Sequence, residues 1–133
     1  KIINRNLTNR FNFNKQVRLS NQLKEHKFGH WEGKNDKEIE HIFPDQIKKR
    51  KVDKWNYVIP GGESYGLLYE RISKFIQKKI DLKKNYVIFS HDMVSRVFRG
   101  YLMKYKPNKI MTSEHKNSSI FIYNNKSLKE YKL

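Results

Sequence analysis

The sequence predicts a single α/β domain over residues 1–133, with helices packed on the faces of a sheet. Three observations favour this class. The apolar run 86–89 is typical of a buried strand, and apolar residues then recur at helical spacing over 93–102. The segment 67–80 has the same helical periodicity. Finally, 119–123 alternates apolar and other residues, as strands with one buried face do.

The remaining predicted elements are shorter. They are the end of a helix over 1–7, a strand over 17–19, a helix from Asn35 or Asp36 to Phe43, a short helix over 45–47, and a strand over 128–131 that pairs with 119–123 as a hairpin. Pro44 ends the first of the internal helices, because proline disfavours a helical conformation in the residue before it. A glycine turn over 60–64 leads into the helix over 67–80.

The chain carries 29 Lys and Arg against 13 Asp and Glu, a formal net charge of +16. Such a balance raises the question of nucleic acid, membrane or anionic substrates. The lysines are scattered, and only residues 48–51 form a basic cluster. We therefore expect a solvated surface and no nucleic-acid partner. No apolar run approaches the roughly 18 residues of a membrane span, so no membrane partner is expected either.

Cofactors are not expected. The chain has no cysteine, which excludes thiolate metal ligands. His26 and His30 lie four residues apart, but Gly29 between them disfavours a helix and no third ligand has matching spacing. We expect a cytoplasmic protein, and the sequence leaves a homodimer open.

His91 is the first candidate for chemistry. It follows the predicted strand 86–89 at the point where a helix begins. In an open α/β sheet this is the carboxyl edge, where ligands bind, and the free N–H groups of the helix favour an anion there. The histidine can donate to a phosphate oxygen, or it can cap the helix or be buried; position alone does not decide between these interpretations.

Glu25 lies in a glycine-containing stretch and could act as a general acid or base if it faces the same cleft as His91; otherwise it is a solvated surface residue. Glu63 and Ser64 precede the helix over 67–80. They can cap that helix, and the same free N–H groups can bind a phosphate. We assign Glu63 and Ser64 to substrate binding.

Together these segments resemble the histidine phosphatase superfamily, which is also called phosphoglycerate mutase-like. The motifs that carry the resemblance are Leu23-x-Glu25-x-x-Phe28-Gly29-x-Trp31-Glu32-Gly33, Pro60-Gly-Gly-Glu63-Ser64 with Arg71 following, Ser90-His91, and Asn117-Ser-Ser-Ile120. Their order and spacing match the family from Lys1 to about Tyr123. The resemblance implies a three-layer α/β fold with helices on both faces of the sheet.

The resemblance also implies a mechanism. In that family a histidine of an Arg-His-Gly motif, at the end of the first strand, is phosphorylated and then hydrolysed. On this resemblance His91 is the second histidine of the phosphate pocket, and Glu25 donates a proton to the leaving oxygen. Cationic donors stabilise charge on the transferring phosphoryl group, and an acid prevents an alkoxide from departing unprotonated.

The sequence departs from the family in two ways. It contains no Arg-His-Gly and no match to the family's second arginine. We therefore expect an N-terminally truncated domain that lacks its first strand and is inactive as given, with a pseudoenzyme as the alternative. The second departure is Asp92, where the family usually has glycine. A carboxylate here repels a phosphate unless it turns away.

The resemblance implies the activity of a phosphomonoester phosphatase, with a small phosphorylated substrate as its partner. Mutases of the family carry a long insertion over the substrate, whereas only the 28 residues from Lys34 to Gly61 separate the two motifs here. A short cap leaves the phosphohistidine open to water and favours hydrolysis. The alternatives are a phosphoglycerate mutase and a basic nucleic-acid-binding module. The latter predicts lysines and aromatic side chains on one face.

Overall fold

The computed structural model describes residues 17–116 and 118–132. The elements are the helices α1 (Asp36–Ile42), α2 (Pro44–Val52), α3 (Tyr65–Lys79), α4 (Asp92–Leu102) and α5 (Pro107–Thr112), the strands β1 (Ser119–Asn124) and β2 (Ser127–Lys132), and two 3-10 turns, Asn21–Leu23 and Gly29–Trp31. The helix end predicted over 1–7 lies outside the described residues. Within the described part of the chain, every helix is too short or too polar to cross a membrane.

Helix α1 begins with a capping box. The Asn35 side chain accepts from the Glu38 N–H, and the Glu38 side chain accepts from the Asn35 N–H. Phe43 follows α1, and Pro44 opens α2 in the first helical position, where proline's missing N–H costs nothing. The predicted helix ending before Pro44 is confirmed, whereas the helix predicted over 45–47 extends to Val52.

Helices α3, α4 and α5 share the larger of two hydrophobic clusters. Its fully buried members are Leu68, Ile72, Val94, Val97 and Ile110. The helices predicted over 67–80 and 93–102 are therefore confirmed, with their apolar faces in the core. Helix α5 was not predicted, although Pro107 at its first position is a recognised start signal. Helix α5 packs closely on α4 at Gly100, which has no Cβ. A Cβ there would lie 2.4 Å from the Ile110 side chain.

Strands β1 and β2 form an antiparallel hairpin in which Ser119 pairs with Lys132. The turn residues Asn125 and Lys126 both have positive φ, as the preferred two-residue hairpin turns require. The predicted hairpin is confirmed. Arg99 of α4 holds it in place: its guanidinium lies 3.8 Å from the centre of the Phe121 ring.

The prediction of a buried strand over 86–89 is wrong. These residues are outside any described strand, and Val87 and Phe89 are 70% and 74% exposed. A strand needs a neighbour for its backbone groups, and the described residues offer none. The strand predicted over 17–19 is likewise absent. Among the described residues the sheet has two strands, so the expected three-layer sheet is not formed by this part of the chain.

Candidate active site

The loop that carries Glu25 packs tightly against the turn before α3. Gly29 has a φ of +53°, and a Cβ on it would lie 2.2 Å from the Pro60 carbonyl oxygen. The His30 N–H donates to that same oxygen at 2.9 Å. Glycine is required here because any side chain would push the two segments apart. The Glu25 loop is therefore held close to the beginning of α3.

Arg71 of α3 donates hydrogen bonds to the backbone of the same loop. Its Nη1 donates to the carbonyl oxygens of Gln22 at 2.7 Å and Lys24 at 3.0 Å, and its Nη2 donates to that of Glu25 at 3.4 Å. Nη2 also lies 2.6 Å from Glu63 Oε1 in an ion pair that is mostly buried. One guanidinium thus ties the backbone around Glu25 to the residue before the α3 cap.

Glu63 and Ser64, predicted to bind substrate, are engaged in these internal contacts. Ser64 is 4% exposed, and its hydroxyl accepts from the Leu67 N–H at 3.2 Å to cap α3. Glu63 pairs with Arg71 and accepts from the Lys27 N–H at 2.9 Å. The capping interpretation describes what both side chains do in this structure. Their contact with substrate stays a prediction.

The predicted acid, Glu25, is half-buried. One of its carboxylate oxygens accepts from the His26 N–H at 2.8 Å, and its other oxygen takes no hydrogen bond from a described residue. The loop adjoins the start of α4, since the Ser90 hydroxyl donates to the Leu23 carbonyl at 2.8 Å. The structure therefore brings the segments of Glu25 and His91 side by side.

His91 is the N-cap residue of α4, yet its side chain makes no capping hydrogen bond. It is also exposed. Neither the capping nor the buried alternative for His91 therefore applies in this structure. Its imidazole is available at the N-terminal end of a helix, where the free N–H groups favour an anion.

Asp92, the departure from the family pattern, turns toward its own helix. Its carboxylate accepts two hydrogen bonds from Arg96 one turn later, at 2.5 Å from Nε and 2.7 Å from Nη2. The two groups form a bidentate pair. Arg96 therefore balances the negative charge of this carboxylate beside His91, which weakens its repulsion of an incoming anion.

Three cations gather around Tyr65, the first residue of α3. Lys54 Nζ lies 5.6 Å from the centre of the Tyr65 ring. Burial raises the pKa of Tyr65, and the positive charges of Arg96 and Arg50 oppose that rise. Burial, followed by the charges of Arg50 and Arg96, lowers the pKa of Lys54. Arg50 and Lys54 line the same cavity, and the charge of Arg96 acts on both Lys54 and Tyr65. We call these three residues the cationic cluster.

The cationic cluster adjoins the predicted catalytic residues. The hydrogen bonds that Arg96 donates to Asp92 raise the pKa of Arg96 most, and the negative charge of Glu25 adds to the rise. Arg50 and Lys54, in contrast, form no ion pair with any described residue. Arg50 instead lies over the Trp31 ring, 5.5 Å from its centre, and the negative charge of Asp36 opposes the lowering of the Arg50 pKa by burial.

The family model of the histidine phosphatase superfamily (branch 1) matches residues 6–128. The chain belongs to the histidine phosphatase superfamily. The match contains both segments described above, the Glu25 loop and the start of α4 with His91.

Proteins similar to this superfamily member include two from Saccharomyces cerevisiae. It is 33% identical over 91 residues to 6-phosphofructo-2-kinase 1, covering 67% of this chain and 11% of that protein. It is 33% identical over 72 residues to a fructose-2,6-bisphosphatase, covering 54% and 16% respectively. The chain thus spans a small part of the length of these relatives.

A solved structure, the α-ribazole phosphatase from Shigella flexneri, has the same fold. Its TM-score is 0.71 at 21% identity, and the match covers 90% of this chain and 61% of that one. The likeness shows an α/β fold of the histidine phosphatase type. It covers less than two thirds of the solved enzyme.

Sequence reasoning missed the cationic cluster in this superfamily member. The spacing of Asp92 and Arg96, four residues apart on a predicted helix, could have indicated their pair. No local pattern could place Arg50 and Lys54 beside Tyr65, because the contact depends on how the turn after α2 folds back.

A cavity of about 280 Å³ also borders this region, lined by Asp36, Glu40, Ile47, Arg50, Lys51 and Lys54. It does not include Glu25 or His91.

His26, next to the predicted acid, is 3% exposed and its Nδ1 has no hydrogen-bond partner among the described residues. Burial lowers its pKa from 6.5 to about 4, so the ring is neutral near pH 7. In the described part of the chain, no three His, Asp or Glu side chains come together in a way that could hold a metal ion.

Proposed function

We propose that the complete protein is a phosphatase that hydrolyses small phosphomonoesters through a phosphohistidine. Membership of the histidine phosphatase superfamily supports this, as do relatives named a fructose-2,6-bisphosphatase and an α-ribazole phosphatase. The phosphorylated histidine comes from polypeptide outside this sequence, which contains no Arg-His-Gly. The same polypeptide pairs with the exposed segment 86–89 and completes a three-layer sheet. The 133-residue chain alone is inactive.

The observation that carries the proposal is the meeting of the Glu25 loop with the start of α4, fixed by the bond from Ser90 to Leu23. His91 donates a hydrogen bond to an oxygen of the phosphoryl group and stabilises its charge during transfer. A nitrogen of the phosphorylated histidine bonds to phosphorus as the ester P–O bond breaks, and Glu25 gives its proton to the leaving oxygen. Water then attacks the phosphohistidine, the P–N bond breaks, and Glu25 takes a proton from that water.

The cationic cluster indicates the class of substrate. Arg50 and Lys54 repel each other and form no ion pair with a described residue, although Asp36 and Glu40 line the same cavity; a second anionic group on the substrate would relieve that repulsion. The name of the yeast fructose-2,6-bisphosphatase likewise implies a substrate with two charged groups. The short segment 34–61 favours a phosphatase over a mutase, since it adds only α1 and α2 as cover.

The test is phosphate release by the complete protein from p-nitrophenyl phosphate and from an alkyl phosphate. His91→Ala should abolish release from both. Glu25→Gln should lower kcat/KM, which reports the first transfer, by about 100-fold for the alkyl ester and far less for the nitrophenyl ester, since only the alkoxide needs the proton.

Glu70→Gln is the matched control, because Glu70 is an exposed acid on α3 whose ion-pair partner among the described residues is Lys74. It should leave both rates unchanged. An equal loss of kcat/KM for both esters in Glu25→Gln would contradict the acid role. Full activity of His91→Ala would contradict the proposed pocket.

A further inference from the structure

The peptide unit between Glu25 and His26 is held at both of its polar atoms. Its carbonyl oxygen accepts from Arg71 Nη2 at 3.4 Å, and its N–H donates to Glu25 Oε1 at 2.8 Å. Because a peptide unit is planar, the direction of its carbonyl fixes the direction of its N–H. The side chain that holds the carbonyl therefore also determines where the N–H meets the Glu25 carboxylate.

The backbone on either side of this peptide is fixed as well. Upstream, Arg71 Nη1 donates to the carbonyl oxygens of Gln22 at 2.7 Å and Lys24 at 3.0 Å. Downstream, the Lys27 N–H donates to Glu63 Oε1 at 2.9 Å, and the Glu63 N–H donates to the Lys27 carbonyl oxygen at 2.9 Å. Glu63 in turn accepts from Arg71 Nε at 3.3 Å and from Nη2 at 2.6 Å. One guanidinium thus holds the loop directly and through its carboxylate partner.

The His26 N–H distinguishes the two oxygens of the Glu25 carboxyl group. Oε1 accepts this hydrogen bond, whereas Oε2 accepts none from a residue of the described ranges. In the protonated acid, the oxygen that accepts the N–H is the carbonyl oxygen, because a carbonyl is the better acceptor, and the proton then lies on Oε2. The peptide therefore selects the oxygen of Glu25 that carries the proton.

We propose that Arg71 is a positioning residue for the proton transfer and acts through the peptide between Glu25 and His26. The inference rests on the proposed function, because it concerns the acid of the same site. With Arg71 in place, the proton on Glu25 Oε2 passes to the leaving oxygen as the ester P–O bond breaks. Without Arg71 the carboxyl group adopts several directions, and a smaller fraction of the molecules is aligned to donate.

The first test measures kcat/KM of the complete protein for the nitrophenyl and alkyl phosphates. Arg71→Lys keeps a positive charge beside Glu63, but an ammonium group lacks the planar fork that reaches three carbonyl oxygens. The variant should lose about tenfold for the alkyl ester and less than about twofold for the nitrophenyl ester. A purely structural role would lower both equally. Combined with Glu25→Gln, Arg71→Lys should cause no further loss for the alkyl ester, because the two residues act as one unit.

The second test does not depend on catalysis. In the nitrogen-15-labelled 133-residue chain at pH 7, the His26 amide proton signal reports its hydrogen bond to Glu25. Glu25→Gln should move this signal upfield, because a neutral amide is a weaker acceptor than a carboxylate. Arg71→Lys should move it in the same direction. Lys74→Met, which breaks an exposed pair on the same helix, should leave it in place, and circular dichroism checks that each variant is folded.

The outcomes distinguish this inference from the proposed function. An equal loss of kcat/KM for both esters in Arg71→Lys, or a further loss in the double variant, overturns the inference while the acid role of Glu25 stands. An unchanged His26 amide signal in Arg71→Lys overturns it as well. If Glu25→Gln itself lowers kcat/KM equally for both esters, the acid role is wrong and the inference falls with it.

Discussion

Arg71 is the residue through which α3 holds the loop of the predicted acid. Arg71→Met should lower the free energy of unfolding by about 3 kcal/mol, because it leaves the mostly buried Glu63 carboxylate unpaired and removes donors from three carbonyl oxygens. Urea unfolding at pH 7 measures the change. Lys74→Met, which breaks an exposed pair on the same helix, should cost less than about 0.5 kcal/mol. A loss of unfolding free energy in Arg71→Met as small as that in Lys74→Met would mean that the buried contacts of Arg71 contribute nothing to stability.

His26 makes stability depend on pH. Its pKa is about 4 in the folded protein because burial disfavours the charged ring, against 6.5 when unfolded. The unfolded state therefore binds more protons between these values, and stability falls as the pH is lowered from about 6.5 toward 4. At about 1.4 kcal/mol per pKa unit, the loss reaches up to about 3 kcal/mol.

The variant that tests this is His26→Leu, which should have a flatter stability profile between pH 6.5 and 4. His41→Gln, an exposed histidine on α1, should keep the slope of the wild type. Urea unfolding at half-unit pH steps gives both profiles. Identical slopes for His26→Leu and the wild type would show that this ring is not the source.

At the scale of the elements, four of the five described helices were predicted because their signals are local, and α5 was missed although Pro107 opens it. The caps at Asn35 and Ser64 and the apolar periodicity of α3 and α4 are all contained within one segment each. The hairpin was predictable for the same reason. The conformation and exposure of segment 86–89 were not predictable, since its burial depends on neighbours elsewhere in the chain. The candidate site divides in the same way: motifs located Glu25 and His91, but the cationic cluster arises only from folding.

The exposure of 86–89 gives a direct prediction. Phe89→Ser should change the free energy of unfolding by less than about 0.5 kcal/mol, because the ring is 74% exposed. Leu68→Ala in α3 should cost about 3 kcal/mol, since that side chain is fully buried. Phe89→Ser should also reduce the fluorescence of a dye that binds exposed apolar surface. A cost near that of Leu68→Ala would mean that the ring is buried in solution.

At the scale of the whole molecule, the dominant feature is a net charge of +16. Each of the six ion pairs of the described residues joins one positive and one negative group, so these pairs leave the excess of positive charge unchanged. Like charges repel one another in the compact state, and salt screens the repulsion. Sodium chloride should therefore raise the free energy of unfolding. Any anion that binds the folded state alone should raise it further.

Phosphate separates general screening from binding at the cationic cluster. At equal ionic strength, 50 mM phosphate should stabilise the chain by about 1 kcal/mol more than chloride if its dissociation constant is about 10 mM. Arg50→Met with Lys54→Met should lose this excess and keep the response to chloride. Lys78→Met with Lys79→Met removes the same charge from the exposed end of α3, and it should keep both responses. Because phosphate also favours burial generally, only the difference between the two double variants counts, and an equal phosphate excess in both would contradict the cluster as an anion site.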